Sequence, residues 1–116
     1  LLTLLAPAAC GAQTAPEAPA RDKPLNLVAT TGMVGDLVRR VAGERGQVTL
    51  LMGEGVDPHL YKPTRSDIAT MSRADAVFYN GLLLEGKMLD ALVRLASSGR
   101  KVFAVVPTML TLGNAV

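Results

Sequence analysis

The sequence has no tryptophan, a single cysteine and a single histidine, and aromatic residues make up only 3% of its 116 positions. Each scarcity excludes something. One cysteine, Cys10, cannot close a disulfide within the chain. No basic run is interleaved with aromatics, and the net charge is only +2, so no nucleic-acid partner is expected. No apolar run reaches the roughly eighteen residues that a membrane-spanning helix needs. There is no Gly-x-Ser-x-Gly segment, no phosphate-binding loop and no Cys-His pairing, so the chain is not expected to be an enzyme. Gly53-Glu54-Gly55 is too short and too poorly placed to hold a nucleotide.

A hydrophobic content of 49% against 19% charged residues is enough for one small globular domain. The ends read differently from the middle. Leu1-Leu2-Thr3-Leu4-Leu5, followed by Ala6-Pro7-Ala8-Ala9-Cys10, has the apolar run and small residues of an export signal without its charged leading region. Residues 1–10 are therefore expected to be a partial lipoprotein signal peptide, with Cys10 as the lipidation point. Pro7 departs from the Leu-like residue usual at that place, and the alternative is an ordinary secretory signal with an incidental free thiol. Residues 11–24, rich in Ala and Pro, read as a flexible tether. Residues 25–116 read as an N-terminal α/β lobe, incomplete at its C-terminal end. The sequence starts on Leu1 and stops soon after Pro107-Thr108-Met109, so a fragment of a longer protein is expected.

Within the lobe, short β-rich runs alternate with amphipathic ones. Strands are expected over residues 25–29, 47–52, 74–79 and 101–106. Helices are expected over residues 33–42, after a cap at Thr30 or Thr31, then after a cap at Thr64 or Ser66, and over residues 83–97. Met33, Val34, Leu37, Val38 and Val41 form the apolar stripe of the first helix, and Gly43 stops it. Leu84, Met88, Leu92 and Leu95 fall on one side of the third. Met33, Met52 and Met71 are expected in or near the core. Asp36 and Asp67 have the spacing of solvated faces or caps. The alternation predicts an α/β fold with a parallel four-stranded sheet flanked by helices, whose ligands gather beyond the carboxyl ends of the strands.

His59 lies at that edge, in a run bracketed by Gly53, Gly55, Pro58 and Pro63 that predicts a shaped, exposed loop. Imidazole is the commonest metal-ligating side chain, so His59 is the candidate metal ligand; the alternative is a loop histidine with local hydrogen bonds only. Asp57 has two readings. It can accept from the other imidazole nitrogen and fix the tautomer, or it can cap an Asx-type turn ahead of Pro58. Tyr61 lines the pocket or packs beneath the loop. Glu85, near the expected start of the third helix, complements its dipole and is not counted among the ligands.

Taken together, Val28-Ala29-Thr30-Thr31-Gly32-Met33-Val34-Gly35-Asp36, Gly55-Val56-Asp57-Pro58-His59-Leu60-Tyr61, Ser66-Asp67-Ile68, Ala74-Asp75, Tyr79-Asn80-Gly81 and Leu84-Glu85-Gly86-Lys87-Met88 resemble the solute-binding lipoproteins of bacterial zinc and manganese ABC importers. The resemblance implies two α/β lobes joined by a long helix, with a divalent metal ion held between them. It places the first ligating histidine of the family at His59. It also implies Mn²⁺ or Zn²⁺ as the ion, with Fe²⁺ as a third candidate, and the His-rich loop of some zinc members, not visible in this sequence, leaves a lean toward manganese or a mixed preference. The implied partners are a membrane permease and, through Cys10, a membrane surface outside the cytoplasm, and a monomer is expected. The competing function is a lipid-anchored surface adhesin, or a truncated remnant that no longer transports.

Overall fold

The computed structural model describes residues 22–106, so Cys10 and the expected signal, most of the tether, and residues 107–116 lie outside the described residues. Four strands, β1 (Leu25–Ala29), β2 (Gly46–Leu50), β3 (Ala76–Tyr79) and β4 (Val102–Ala104), form one sheet in the order β2-β1-β3-β4. All pairings are parallel, with Leu27 opposite Ala76, Val28 opposite Val77, and Val77 opposite Val102. The helices are α1 (Gly32–Ala42), α2 (Arg65–Arg73) and α3 (Leu89–Ser97). The expected α/β class with a four-stranded parallel sheet is what the structure shows.

Period-two alternation along β1 sorts the core into two layers. Leu27 and Ala29 point to one face and pack with Val34 and Val38 of α1. Val28 points to the other and packs with Val77, with Met71 of α2 and with Met88, Leu92 and Leu95 around α3. Both faces of the sheet are therefore covered, as right-handed crossovers between parallel strands require. Helix α1 sits close because residue 35 is glycine: a Cβ there would collide with the Leu50 side chain of β2.

Local capping chemistry fixes the helix starts. Thr31, not Thr30, caps α1, its Oγ1 accepting from Val34 N at 3.4 Å. Thr64 caps α2 in a reciprocal box with Asp67. Gly43, at φ 54°, ends α1 in a conformation suited to glycine.

Several boundaries differ from expectation. Strands β2, β3 and β4 end or begin one or two residues away from the expected limits. The larger correction is α3, which starts at Leu89 and not near residue 83. Leu82 and Leu83 have φ values of 53° and 60°, outside the right-handed helical region, so residues 82–88 form turns. Met33 is also corrected. Met52 and Met71 are buried as expected, whereas Met33 is 66% exposed, along with Leu37 and Val41 on the same side of α1. The stripe was wider than the face the sheet can cover.

Candidate metal centre

Strand β1 runs to one side of the sheet through β2 and to the other through β3, so the order reverses between β1 and β3. The crevice beyond the carboxyl ends of strands at such a reversal is where open α/β sheets bind ligands. Three loops converge on that edge: residues 30–31 after β1, residues 51–64 after β2, and residues 80–88 after β3.

The second loop carries His59, which is exposed, its side chain retaining 63% of its accessible surface. Its backbone is nonetheless fixed. Asp57 Oδ1 accepts from His59 N at 2.9 Å, and the Asp57 carbonyl accepts from Leu60 N and Tyr61 N at 3.2 and 3.1 Å. This is an Asx turn in front of a tight backbone turn. The same Oδ1 lies 3.2 Å from His59 Nδ1. Both readings of Asp57 thus meet in one oxygen, which closes the turn and faces the ring. With Nδ1 turned to Asp57, Nε2 is the nitrogen available to a ligand. Asp57 is itself exposed, so the pair contributes little to stability.

Tyr61 anchors the far end of the loop. It packs against the core on the α2–α3 side, and its hydroxyl donates to Asp67 Oδ2 at 2.8 Å. That oxygen also accepts from Thr64 N at 2.7 Å and from Thr64 Oγ1 at 2.8 Å. Burial pushes the Asp67 carboxyl up, but the hydrogen bonds from the Thr64 backbone, the Tyr61 hydroxyl and the Thr64 hydroxyl together outweigh it and leave it below its ordinary value. The Tyr61 phenol is raised, first by its hydrogen bond to Asp67, then by burial and the carboxylate charge. Tyr61 therefore packs and anchors, and Asp67 is a cap. Asp36 is exposed and pairs with Arg39 one turn on at 3.2 Å.

The third loop holds a residue whose importance the sequence concealed. Glu85 is 2% exposed. Its Oε1 accepts from Thr30 Oγ1 at 2.6 Å and from Asn80 N at 2.5 Å, and its Oε2 accepts from Gly81 N at 3.3 Å. It fills the crevice between β1 and β3 and serves no helix dipole, since α3 begins four residues later. Gly81, at φ 93°, has no room for a side chain, because a Cβ would strike the Val106 carbonyl. A separate cleft of about 410 Å³ opens between the start of α1 and residues 53–58, lined by Thr31, Asp36, Glu54 and Pro58 among others but not by His59.

Among the described residues, no three His, Cys, Asp or Glu side chains are grouped so as to hold a metal ion. The structure brings His59 and Asp57 together, with no third partner of that kind among the described residues. One imidazole falls short of the four ligands usual for Zn²⁺.

Residues 27–114 match the sequence model of the family described as zinc-uptake complex component A, periplasmic. Over 86 residues the chain is 43% identical to the manganese-binding lipoprotein MntA of Bacillus subtilis (strain 168), a match covering 74% of this chain and 28% of the relative. It is 46% identical over 95 residues to the zinc-binding protein TroA of Treponema pallidum (strain Nichols), covering 80% and 30%. The solved structure of the periplasmic zinc-binding protein TroA from Treponema pallidum superposes with a TM-score of 0.68 at 40% identity, over 74% of this chain and 32% of that one. The chain thus spans less than a third of the length of these relatives.

Proposed function

Since the chain belongs to the family of periplasmic zinc-uptake components A, we propose that it is part of an extracytoplasmic solute-binding protein and that His59 supplies a ligand to a divalent transition metal. The ion is Mn²⁺ or Zn²⁺, with Fe²⁺ as a third candidate. It is cargo and is delivered to the membrane permease of an ABC importer. The protein performs no covalent chemistry in this reading. Cys10 anchors it to a membrane surface outside the cytoplasm, and it acts as a monomer.

One observation carries the reading. His59 stands exposed at the ligand-binding edge of a parallel sheet, on a loop fixed by its own turn, with Asp57 beside Nδ1. A carboxylate at one imidazole nitrogen fixes the tautomer and raises the basicity of the other, the arrangement that ligating histidines usually have. Pro58 restrains the same loop, so less entropy is lost when an ion is bound. The remaining ligands come from other parts of the whole protein. The names of the relatives divide between manganese and zinc. That division supports a divalent transition metal and favours transport over the adhesin reading. Additional histidines would favour Zn²⁺ and additional carboxylates Mn²⁺.

The test is His59→Ala in the full-length protein, titrated with Mn²⁺ and with Zn²⁺ by calorimetry. Affinity for the cargo ion should collapse while the fold persists. An unchanged affinity for both ions removes His59 from the site and the reading with it.

A further inference from the structure

We propose that Glu85 is a positioning residue for His59. Its buried side chain pins the turn of residues 80–88 to the end of β1, and the backbone of that turn is the wall on which the His59 segment rests. The inference builds on the reading of His59 as a ligand.

The anchor is rigid on both sides. A carboxyl group taken out of water is costly unless its oxygens are satisfied. Glu85 satisfies them with donors from two loops, Thr30 on one and Asn80 and Gly81 on the other. Thr30 is fully buried and has no freedom to follow a moving partner. Its N–H donates to the Phe78 carbonyl and its own carbonyl accepts from Met52 N, each at 3.0 Å. Glu85 is therefore tied through Thr30 to the residues that extend β1 and β2 and to β3.

The turn it holds is strained. Leu82 and Leu83 are consecutive left-handed residues, and neither is glycine. Each such residue carries a steric cost, because its Cβ crowds the following carbonyl oxygen. Their side chains recover little of this, since Leu82 is 55% and Leu83 70% exposed. Strain of this kind persists only where the surroundings over-determine it, and it gathers where a shape is needed. The shape obtained here places Glu85 inward and sets Gly86 beside the histidine. A Cβ at residue 86 would stand 3.6 Å from the Leu83 carbonyl oxygen and 3.9 Å from the His59 carbonyl oxygen, within van der Waals contact of both. The Asx turn fixes the ring relative to its own loop, and the Glu85 turn fixes that loop relative to the sheet. Ligating groups must be held to within about 0.5 Å of their working geometry, and supporting partners have that task.

The experiment uses the full-length protein with Glu85→Ala, Glu85→Gln and Thr30→Val, and with Lys87→Ala as a control on the exposed side of the same turn. Metal affinity is read with Mn²⁺ and Zn²⁺ by calorimetry. Backbone amide resonances of residues 57–61 are read in the metal-free protein, and the unfolding midpoint is followed in parallel. Glu85→Ala should lower affinity about 10-fold or more and move the resonances of residues 57–61 before any metal is added. Glu85→Gln, which keeps one acceptor oxygen, should fall between it and the parent, and Lys87→Ala should match the parent. A lowered midpoint with affinity and resonances unchanged would show that Glu85 only stabilises, and would overturn the proposal. If Glu85→Ala does not fold, Thr30→Val carries the same two readouts with the same deciding outcomes. Failure of the ligand reading shows separately, as unchanged affinity in His59→Ala, while the resonance shifts still decide whether Glu85 positions the segment.

Discussion

Two loops meet at the carboxyl edge of the sheet, and they are built on opposite terms. The His59 loop is exposed and is shaped by bonds between near neighbours, Asp57 to His59 and Asp57 to Leu60 and Tyr61. The Glu85 turn is buried at its centre, and its key bond, from Thr30, joins residues 55 apart in sequence. One loop leaves a nitrogen open to solvent, and the other commits both oxygens of the Glu85 carboxyl to holding its shape. A ligand must face outward to exchange its ion and must be steady to bind it, and a single loop cannot easily do both. On the reading proposed above, the tasks are divided between neighbouring loops, with Gly86 close to the His59 carbonyl.

This division predicts that substitutions in the two loops have different signatures. The largest effect is expected from His59→Ala. Affinity of the full-length protein for its ion should fall more than about 100-fold, since even partners behind a ligand cost 10–100-fold. The unfolding midpoint should stay nearly constant, because an exposed surface side chain changes stability by only about 0.5 kcal/mol. A His59→Ala protein that also unfolds easily would break the comparison. Next in size, Glu85→Ala strands the buried Thr30 hydroxyl and Gly81 N–H and the part-buried Asn80 N–H. Each unpaired buried donor costs about 1–3 kcal/mol, and allowing for water entry the net loss should be about 3 kcal/mol by denaturant unfolding. Asp57→Ala should be milder in both respects, with affinity down about 10-fold and stability nearly unchanged. An Asp57→Ala loss confined to stability would assign Asp57 to the turn alone.

How much of this was legible in the sequence follows the same division. Whatever rests on local rules was readable. The alternation of short β-rich and amphipathic runs pointed to a parallel sheet between helices, the Thr30-Thr31 pair and the Thr64 or Ser66 position brought two helix starts to within two residues, and the Gly- and Pro-bracketed run pointed to the exposed loop around His59. What depends on distant partners was not. Leu82-Leu83-Leu84 continues the apolar spacing of α3, so the run reads as helix, and the bonds from Thr30 and the Asn80-Gly81 backbone to Glu85, which accompany the left-handed bend, join partners that local patterning does not reveal. Periodicity also cannot say how wide a face the sheet will cover, which is why Val34 and Val38 are buried while Met33 and Leu37 are not. The one available clue to Glu85 was an acidic residue four places after an Asn-Gly pair, and that pattern is equally at home on a solvated surface.

The smallest predicted effect sharpens the comparison at the far end of the His59 loop, where Tyr61 and the cap of α2 share Asp67. The Asp67 carboxyl is lowered, so the folded chain holds that proton less tightly than the unfolded one. Its contribution is complete above the ordinary carboxylate range and is lost as pH falls through the lowered value. Tyr61 is raised, so its contribution is complete below the ordinary phenol range and fades only as pH rises through the raised value. Asp67→Asn should therefore cost about 1 kcal/mol at pH 7, the usual worth of a cap. The gap from the parent should narrow below about pH 4, where the unfolded chain begins to take up the proton that the folded carboxyl still resists. Chemical unfolding at pH 7 and pH 3 checks this. An equal gap at both would mean that shape, and not charge, holds the junction. The affinity of Asp67→Asn for metal at pH 7 separates the loops once more. If Tyr61 is only an anchor, and the wall at Gly86 sets the histidine, affinity should change less than in Glu85→Ala.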